Sequence, residues 1–280
     1  MLVIKEIKDL QALISNQRTE GKRIGFVPTM GALHEGHISL VDEAGRQTDF
    51  VVVSIFVNPT QFNDANDLAK YPKTLEADTK MLAKTACQVI FAPEVATMYP
   101  KPDTRQFSFG RLEQVMEGQF RPGHFNGVAQ IVSKLFDVVK PDKAFFGQKD
   151  FQQLVIVKAM VKQLNLPVEI VPCPIIREAS GLARSSRNER LSPEQRSHAA
   201  VIYQTLLEAK NNAGKVSVEG MKRQVTEQIN ANPYLKIEYV DVVDDIELKQ
   251  IKNWDEPVNK VLCIAVFCGE VRLIDNLLIG

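Results

Sequence analysis

Apolar positions along the chain fall into two rhythms that alternate. Ile7, Leu10, Leu13 and Ile14 recur at helical spacing, the short run Arg23 to Val27 predicts a buried strand, and Ile38, Leu40, Val41 and Ala44 return to helical spacing. A second strand is predicted over Val51 to Val57, a helix around Leu75, Met81 and Leu82, and a third strand from Gln88 to Ala92, closed by Pro93. A helix over Val128 to Val139, a strand at Lys143 to Phe146, a helix from Phe151 to about Gln163 and a strand from Val168 to Ile176 continue the series. Buried strands that alternate with helices predict an α/β fold, a Rossmann-like parallel sheet with helices on both faces.

The texture changes after Ile176. Residues 177–188 form a polar, glycine-containing stretch, and Ser192-Pro193-Glu194-Gln195 then supplies an N-cap, a proline at the first helical position and a glutamine able to close a capping box. A long helix is predicted from there on Ala199, Ile202, Tyr203, Leu206 and Leu207. A second helix follows near Val218 to Ile229, then strands near Ile237 to Val243, Lys260 to Phe267 and Val271 to Ile274. The expected organisation is a Rossmann-like domain over residues 1–176 and a smaller C-terminal α+β domain over residues 177–280.

Lys plus Arg equals Asp plus Glu at 34 each, so no basic field recruits nucleic acid. Neither a signal-peptide core nor an apolar run long enough to cross a bilayer is present, so no membrane partner and a cytoplasmic location are expected. The four cysteines, Cys87, Cys173, Cys263 and Cys268, form no C-x-x-C pair. Cys263 and Cys268 are an odd number apart in a strand-like run, which places them on opposite faces, and buried free thiols are expected.

The richest segment chemically is Pro28-Thr29-Met30-Gly31-Ala32-Leu33-His34-Glu35-Gly36-His37, which ends a strand and opens a helix. At a helix start the first N–H groups lack partners and the dipole favours anions, so main chain and imidazole together suit a triphosphate. Spacing of three puts both histidines on one helix face, which would also suit a metal. The zinc protease pattern His-Glu-x-x-His is, however, one residue longer. A third reading makes them helix-capping residues. Three further strand ends carry unusual polar residues: Asn58-Pro59-Thr60-Gln61-Phe62, Gly147-Gln148-Lys149-Asp150-Phe151-Gln152-Gln153, and the approach to Arg184-Ser185-Ser186-Arg187. Ligands of open parallel sheets bind beyond such carboxyl ends.

The segments PTMGALHEGH, FVNPTQF, GQFRPGHFNGV, KPDKAFFGQKDFQQL and LARSSRN, in this order between Lys22 and about Ser192, resemble the pantoate-β-alanine ligases of the HIGH-motif nucleotidyltransferase superfamily. The resemblance implies an ATP-dependent condensation of pantoate with β-alanine through a pantoyl-adenylate, releasing pyrophosphate and AMP. It implies ATP contacts from Met30, Gly31, Ala32, Leu33, His34, Glu35, Gly36 and His37, with His37 as proton donor. Gly147, Gln148, Lys149 and Asp150 would bind adenosine and phosphates, Ile176 would lie against adenine or ribose, and Arg184, Ser185, Ser186 and Arg187 would close over the phosphates. His34, His37, Lys149 and Arg187 can supply the positive and donor groups that adenylation needs. Gln61, Gln153 and Asn58 are assigned to pantoate and Gln61 also to β-alanine; amides offer both donor and acceptor to a hydroxy acid.

Mg²⁺ is expected with ATP, without named protein ligands, Asp78 being a remote candidate near the phosphates. A homodimer is expected by the same resemblance. Phe120 and Phe125 could wall an apolar pocket or belong to a packed connection. Two positions depart from the family pattern, Ser180 where Asp is usual and Arg184 where Met is usual. Competing readings are a nucleotidyltransferase acting on a phosphate ester and a non-catalytic ATP-binding module. An aminoacyl-tRNA synthetase would need an anticodon domain for which the chain lacks room.

Overall fold

The computed structural model describes residues 1–61, 68–69 and 71–279. These form two compact units, one of residues 1–148 and 156–174, the other of residues 149–155 and 175–280.

The first unit is built on a six-stranded sheet of β1 (Leu2–Ile4), β2 (Ile24–Thr29), β3 (Phe50–Ile55), β4 (Cys87–Phe91), β5 (Lys143–Gly147) and β6 (Glu169–Cys173). All pairings are parallel and the spatial order is β1-β4-β3-β2-β5-β6. The strands carry near-continuous apolar runs because each face is covered. Val27, Val51, Val53 and Phe145 point to the face that holds Leu40, Val41 and Ala44 of the helix Glu35–Gln47. On alternate positions, Phe26 and Phe146 meet Phe136 of the helix His124–Val139 edge to face, at 6.2 and 6.5 Å between ring centroids.

β1 has no counterpart among the predicted strands, since Leu2-Val3-Ile4, though apolar, is only three residues long and lies at a sheet edge. β6 ends at Cys173, three residues before the predicted Ile176, and Pro172 is tolerated inside it because the strand lies at the sheet edge.

The second unit contains a three-stranded antiparallel sheet, β7 (Leu235–Asp244), β8 (Lys260–Cys268) and β9 (Val271–Leu278), in that order. Leu262, Ile264, Val266 and Cys268 of β8 turn to one core with Ile202, Leu206, Met221 and Val225 from the helices Val201–Asn211 and Val218–Asn230. The predicted long helix after Ser192 is divided in two, Pro193–Ala199 and Val201–Asn211, which meet at Ala200. Its start is as the sequence requires. The Ser192 hydroxyl accepts from Gln195 N–H at 3.1 Å, and Gln195 returns the bond to Ser192 N–H at 2.9 Å.

All four cysteines are free and buried. Cys268 belongs to the core cluster and Cys263 does not, as their odd spacing on β8 requires. Burial pushes the Cys87 thiol up to about 12 and that of Cys173 up to about 11, so neither is a nucleophile near neutral pH. Among the described residues no helix is long and apolar enough to cross a membrane.

Candidate active site

The strand order reverses at β2 and β5, which are neighbours although β3 and β4 lie between them in sequence. Crossovers leave this point in opposite directions, and in open parallel sheets the crevice there receives the ligand. Met30 to His37 leave the end of β2, and Gly147 and Gln148 leave the end of β5.

The turn after β2 is wound tightly. Gly31 and Ala32 both have positive φ, 80° and 50°, a conformation costly for alanine. Asp78 holds it there. Its carboxylate, 1% exposed, accepts Leu33 N–H at 2.9 Å on one oxygen, and Ala32 N–H and the Thr74 hydroxyl, each at 3.1 Å, on the other. Asp78 is therefore not set aside for a metal or phosphate, as the sequence reading allowed; it is a clamp on the backbone. The signal was present. Asp78 sits between Leu75 and Leu82 at helical spacing, a carboxylate inside a buried stripe, and such a group must be paired.

His34 is the N-cap of the helix Glu35–Gln47, in extended conformation, and His37 is its third residue. His34 Nδ1 accepts Gly36 N–H at 3.1 Å and His37 Nδ1 accepts His34 N–H at 3.3 Å, a capping box made of two imidazoles. The helix-face reading is thus corrected, because His34 stands outside the helix. The rings nevertheless lie 4.1 Å apart between centroids. The capping reading and the anion-binding reading also turn out to be compatible. A neutral imidazole whose Nδ1 accepts carries its proton on Nε2, so the cap fixes each ring as an Nε2–H donor. Glu35 is exposed and Gly36 lies beneath the His34 ring, where a Cβ would come within 2.9 Å of Cε1.

Asn58 precedes and Gln61 ends the short 3₁₀ turn Pro59–Gln61 after β3, and both are buried. Asn58 Nδ2 donates to Gly127 O at 3.1 Å and lies 3.3 Å from Gln61 Oε1, while its Oδ1 accepts the Tyr99 hydroxyl at 2.8 Å. Gln61 Nε2 is then turned to Met30 Sδ, 2.8 Å away. His124 Nδ1 lies 2.9 Å from Gln61 O. Gly127 permits this: a Cβ there would stand 2.4 Å from Thr60 O. Tyr99 and Gly127 lie far from Asn58 in sequence, so only packing reveals them. Phe62, which closes this motif in the sequence, is outside the described residues. Phe125 is core and Phe120 is 42% exposed, so the two do not face each other across an apolar pocket; the segment is a packed connection.

Residues 148–150 form a 3₁₀ turn leading into the helix Phe151–Gln163, with Gln148 and Asp150 exposed and Lys149 half-buried. In the second unit, Lys149 O accepts Asn276 Nδ2 at 3.0 Å, and Gln153 is half-buried in the first turn of that helix.

Ile176, also in the second unit, opens a hairpin: Arg184 N–H donates to Ile176 O at 2.8 Å, and Arg177 bridges to Ala183. At its tip Gly181 has φ 93° and the Ser180 hydroxyl accepts Leu182 N–H at 3.4 Å. Serine makes here, more weakly, the kind of local side-chain-to-backbone turn that aspartate also makes. Ser185 caps the 3₁₀ turn Ser186–Arg190 by accepting Arg187 N–H at 3.3 Å. Ser186 and Arg187 are half-buried. Glu178 binds Arg196 through two bonds, at 2.9 and 2.8 Å, and this guanidinium holds its carboxyl below the usual range.

A doubly wound sheet with a histidine-capped helix at its reversal point defines the nucleotide-binding α/β class. Similarity to known proteins specifies it further: the pantoate-β-alanine ligase family matches residues 2–278, and the chain belongs to that family. It is accordingly a ligase that forms an amide bond. The pantothenate synthetase of Bacteroides thetaiotaomicron is 55% identical over 277 residues, 99% of this chain and 98% of that one. That of Aquifex aeolicus is 49% identical over 280 residues, covering 98% of each. Among solved structures, the pantothenate synthetase of Thermus thermophilus superposes with a TM-score of 0.92 at 41% identity, covering 100% of this chain and 99% of that one. The Francisella tularensis pantoate-β-alanine ligase, solved with β-γ ATP and β-alanine, gives 0.82 at 35% identity over 99% and 97%.

Proposed function

We propose that the protein condenses pantoate with β-alanine in two steps on the residues named above. A pantoate carboxylate oxygen attacks the α-phosphorus of ATP, the bond to pyrophosphate breaks, and a pantoyl-adenylate forms. The β-alanine amine then attacks the acyl carbon, AMP leaves with the bonding pair, and the amine loses a proton. A carboxylate is already ionised at neutral pH, so the first step needs charge stabilisation rather than a base.

The observation that carries this reading is the double imidazole cap, which leaves the proton of each neutral ring on Nε2 at a helix N-terminus. His37 donates to the phosphate oxygens as charge builds, with His34 beside it; Lys149 and Arg187 supply positive charge. Met30 to His37, Gly147 to Asp150, Ile176 and Ser185 to Arg187 bind ATP, with Arg184 at the head of that last segment. Because Ala32 and Leu33 N–H are bonded to Asp78, that turn contributes mainly through its shape and its side chains. Gln61, Gln153 and Asn58 recognise pantoate, and Gln61 also meets β-alanine. Mg²⁺ would enter on the phosphates of ATP: among the described residues no three His, Cys, Asp or Glu side chains gather as a metal cage.

In this reading residues 1–176 form the catalytic domain and residues 177–280 the smaller one, and the enzyme works as a cytoplasmic homodimer. Labelled pyrophosphate should exchange into ATP when pantoate is present and β-alanine is not. Exchange that requires β-alanine, in a preparation that makes pantothenate, would exclude a free-standing adenylation step.

A further inference from the structure

Arg184 stands where the family usually has methionine, next to the Ser185 cap of the segment assigned to ATP. A guanidinium there invites the reading that a second phosphate ligand has been added. The geometry says otherwise. Arg184 Nη1 donates to Glu189 Oε1 at 2.8 Å and lies 3.4 Å from Glu178 Oε1, and its side chain is 19% exposed. Glu178 is itself fixed by Arg196, through Nε at 2.9 Å and Nη2 at 2.8 Å, and by Asn188 Nδ2 at 2.7 Å. Asn188, fully buried, also donates to Ala183 O at 3.1 Å. Two guanidiniums thus face two carboxylates, and charge within the cluster is balanced.

We propose that Arg184 is a positioning residue of the Ser185–Arg187 segment, a strut turned back into its own loop by Glu178 and Glu189, and not a phosphate ligand. This rests on the reading that the segment contacts ATP. Arg184 is one residue ahead of the Ser185 cap, and its own N–H is bonded to Ile176 O, so backbone and side chain brace the loop from both ends. The base is pinned independently: Arg177 makes a paired contact with Asp275 at 2.6 and 2.9 Å and lies 3.6 Å above the Tyr203 ring. Both carboxylates meet Nη1, so a phosphate approaching that end of the Arg184 guanidinium would compete with them. A methionine at this position would fill space, whereas arginine with Glu189 adds an ionic brace.

The sign of the Glu189 effect tests the proposal. KM for ATP and kcat are measured with saturating pantoate and β-alanine for the full chain and for Arg184→Met, Glu189→Gln and the double variant. A strut predicts that both single variants raise KM for ATP by about threefold to fivefold, the scale of a partly exposed ion pair. It also predicts that kcat and KM for pantoate barely move, and that the double variant is no worse than the poorer single one. If Glu189→Gln lowers KM for ATP while Arg184→Met raises it, Arg184 is a phosphate ligand held in competition, and the proposal is wrong. Wild-type KM in both single variants, or additive losses in the double, overturns it equally. Failure of the unmodified protein to make pantothenate from ATP, pantoate and β-alanine would instead refute the functional reading on which this stands.

Discussion

Replacing Asp78 by Asn should separate the shape of the histidine turn from its chemistry. The carboxylate serves Leu33 N–H at 2.9 Å with one oxygen and Ala32 N–H at 3.1 Å with the other, in a place that is 1% exposed. An amide of the same shape has one oxygen to give, so one N–H must face an NH₂ group instead. A buried donor left unpaired costs about 1–3 kcal/mol, and the two opposed donors add to it, giving about 2–4 kcal/mol in all. For a chain of this size each kcal/mol lowers Tm by roughly 2–4 °C, so calorimetry should show a fall of about 4–16 °C.

Ala32 at φ 50° is held in a conformation that costs a non-glycine residue roughly 1–2 kcal/mol. Adding Ala32→Gly to the Asp78→Asn variant should therefore recover about 1 kcal/mol, because glycine is not penalised there. Folded Asp78→Asn protein should also lose about tenfold or more in kcat, since His34 begins the helix directly after this turn. A Tm within about 2 °C of wild type would refute the clamp, because no buried carboxylate with three donors can lose one oxygen at so small a cost.

Other outcomes are expected from the same geometry. His37→Ala and Lys149→Ala should each lower kcat by about two to three orders of magnitude with saturating substrates, the usual scale for removing a donor to developing charge; near-normal turnover in either would cancel its assigned role. Tyr99→Phe removes the 2.8 Å bond to Asn58 Oδ1, leaves the Thr60 hydroxyl at 3.2 Å, and should raise KM for pantoate about fivefold without changing KM for ATP. The Arg105 guanidinium holds the Asp103 carboxyl down to about 2. That group lends stability above the ordinary aspartate range and loses it as pH falls from about 4 towards 2, so Asp103→Asn should flatten this part of an acid denaturation curve.

Local patterns along the chain were enough for the strands after β1 and the longer helices, the parallel character of the first sheet, the start of the helix at Ser192 and the places where chemistry collects. Periodicity, caps and strand ends are each written within a few residues of one another, so they can be read without the fold. The family could also be recognised, since five long motifs in fixed order leave little freedom.

The remainder depended on long-range packing, for a reason visible in particular residues. Asp78, Tyr99 and Gly127 lie 46, 41 and 69 positions from the partners they hold. Nothing along the chain marks them as parts of one arrangement. The two histidines were legible as important, but their use as a mutual cap, which sets the tautomer, needed three-dimensional placement of Nδ1 against two backbone N–H groups. Arg184 was likewise conspicuous in the sequence, while the carboxylates that turn it inward emerge only once the hairpin returns Glu178 beside it. A residue type announces what it can bond; folding chooses the partner.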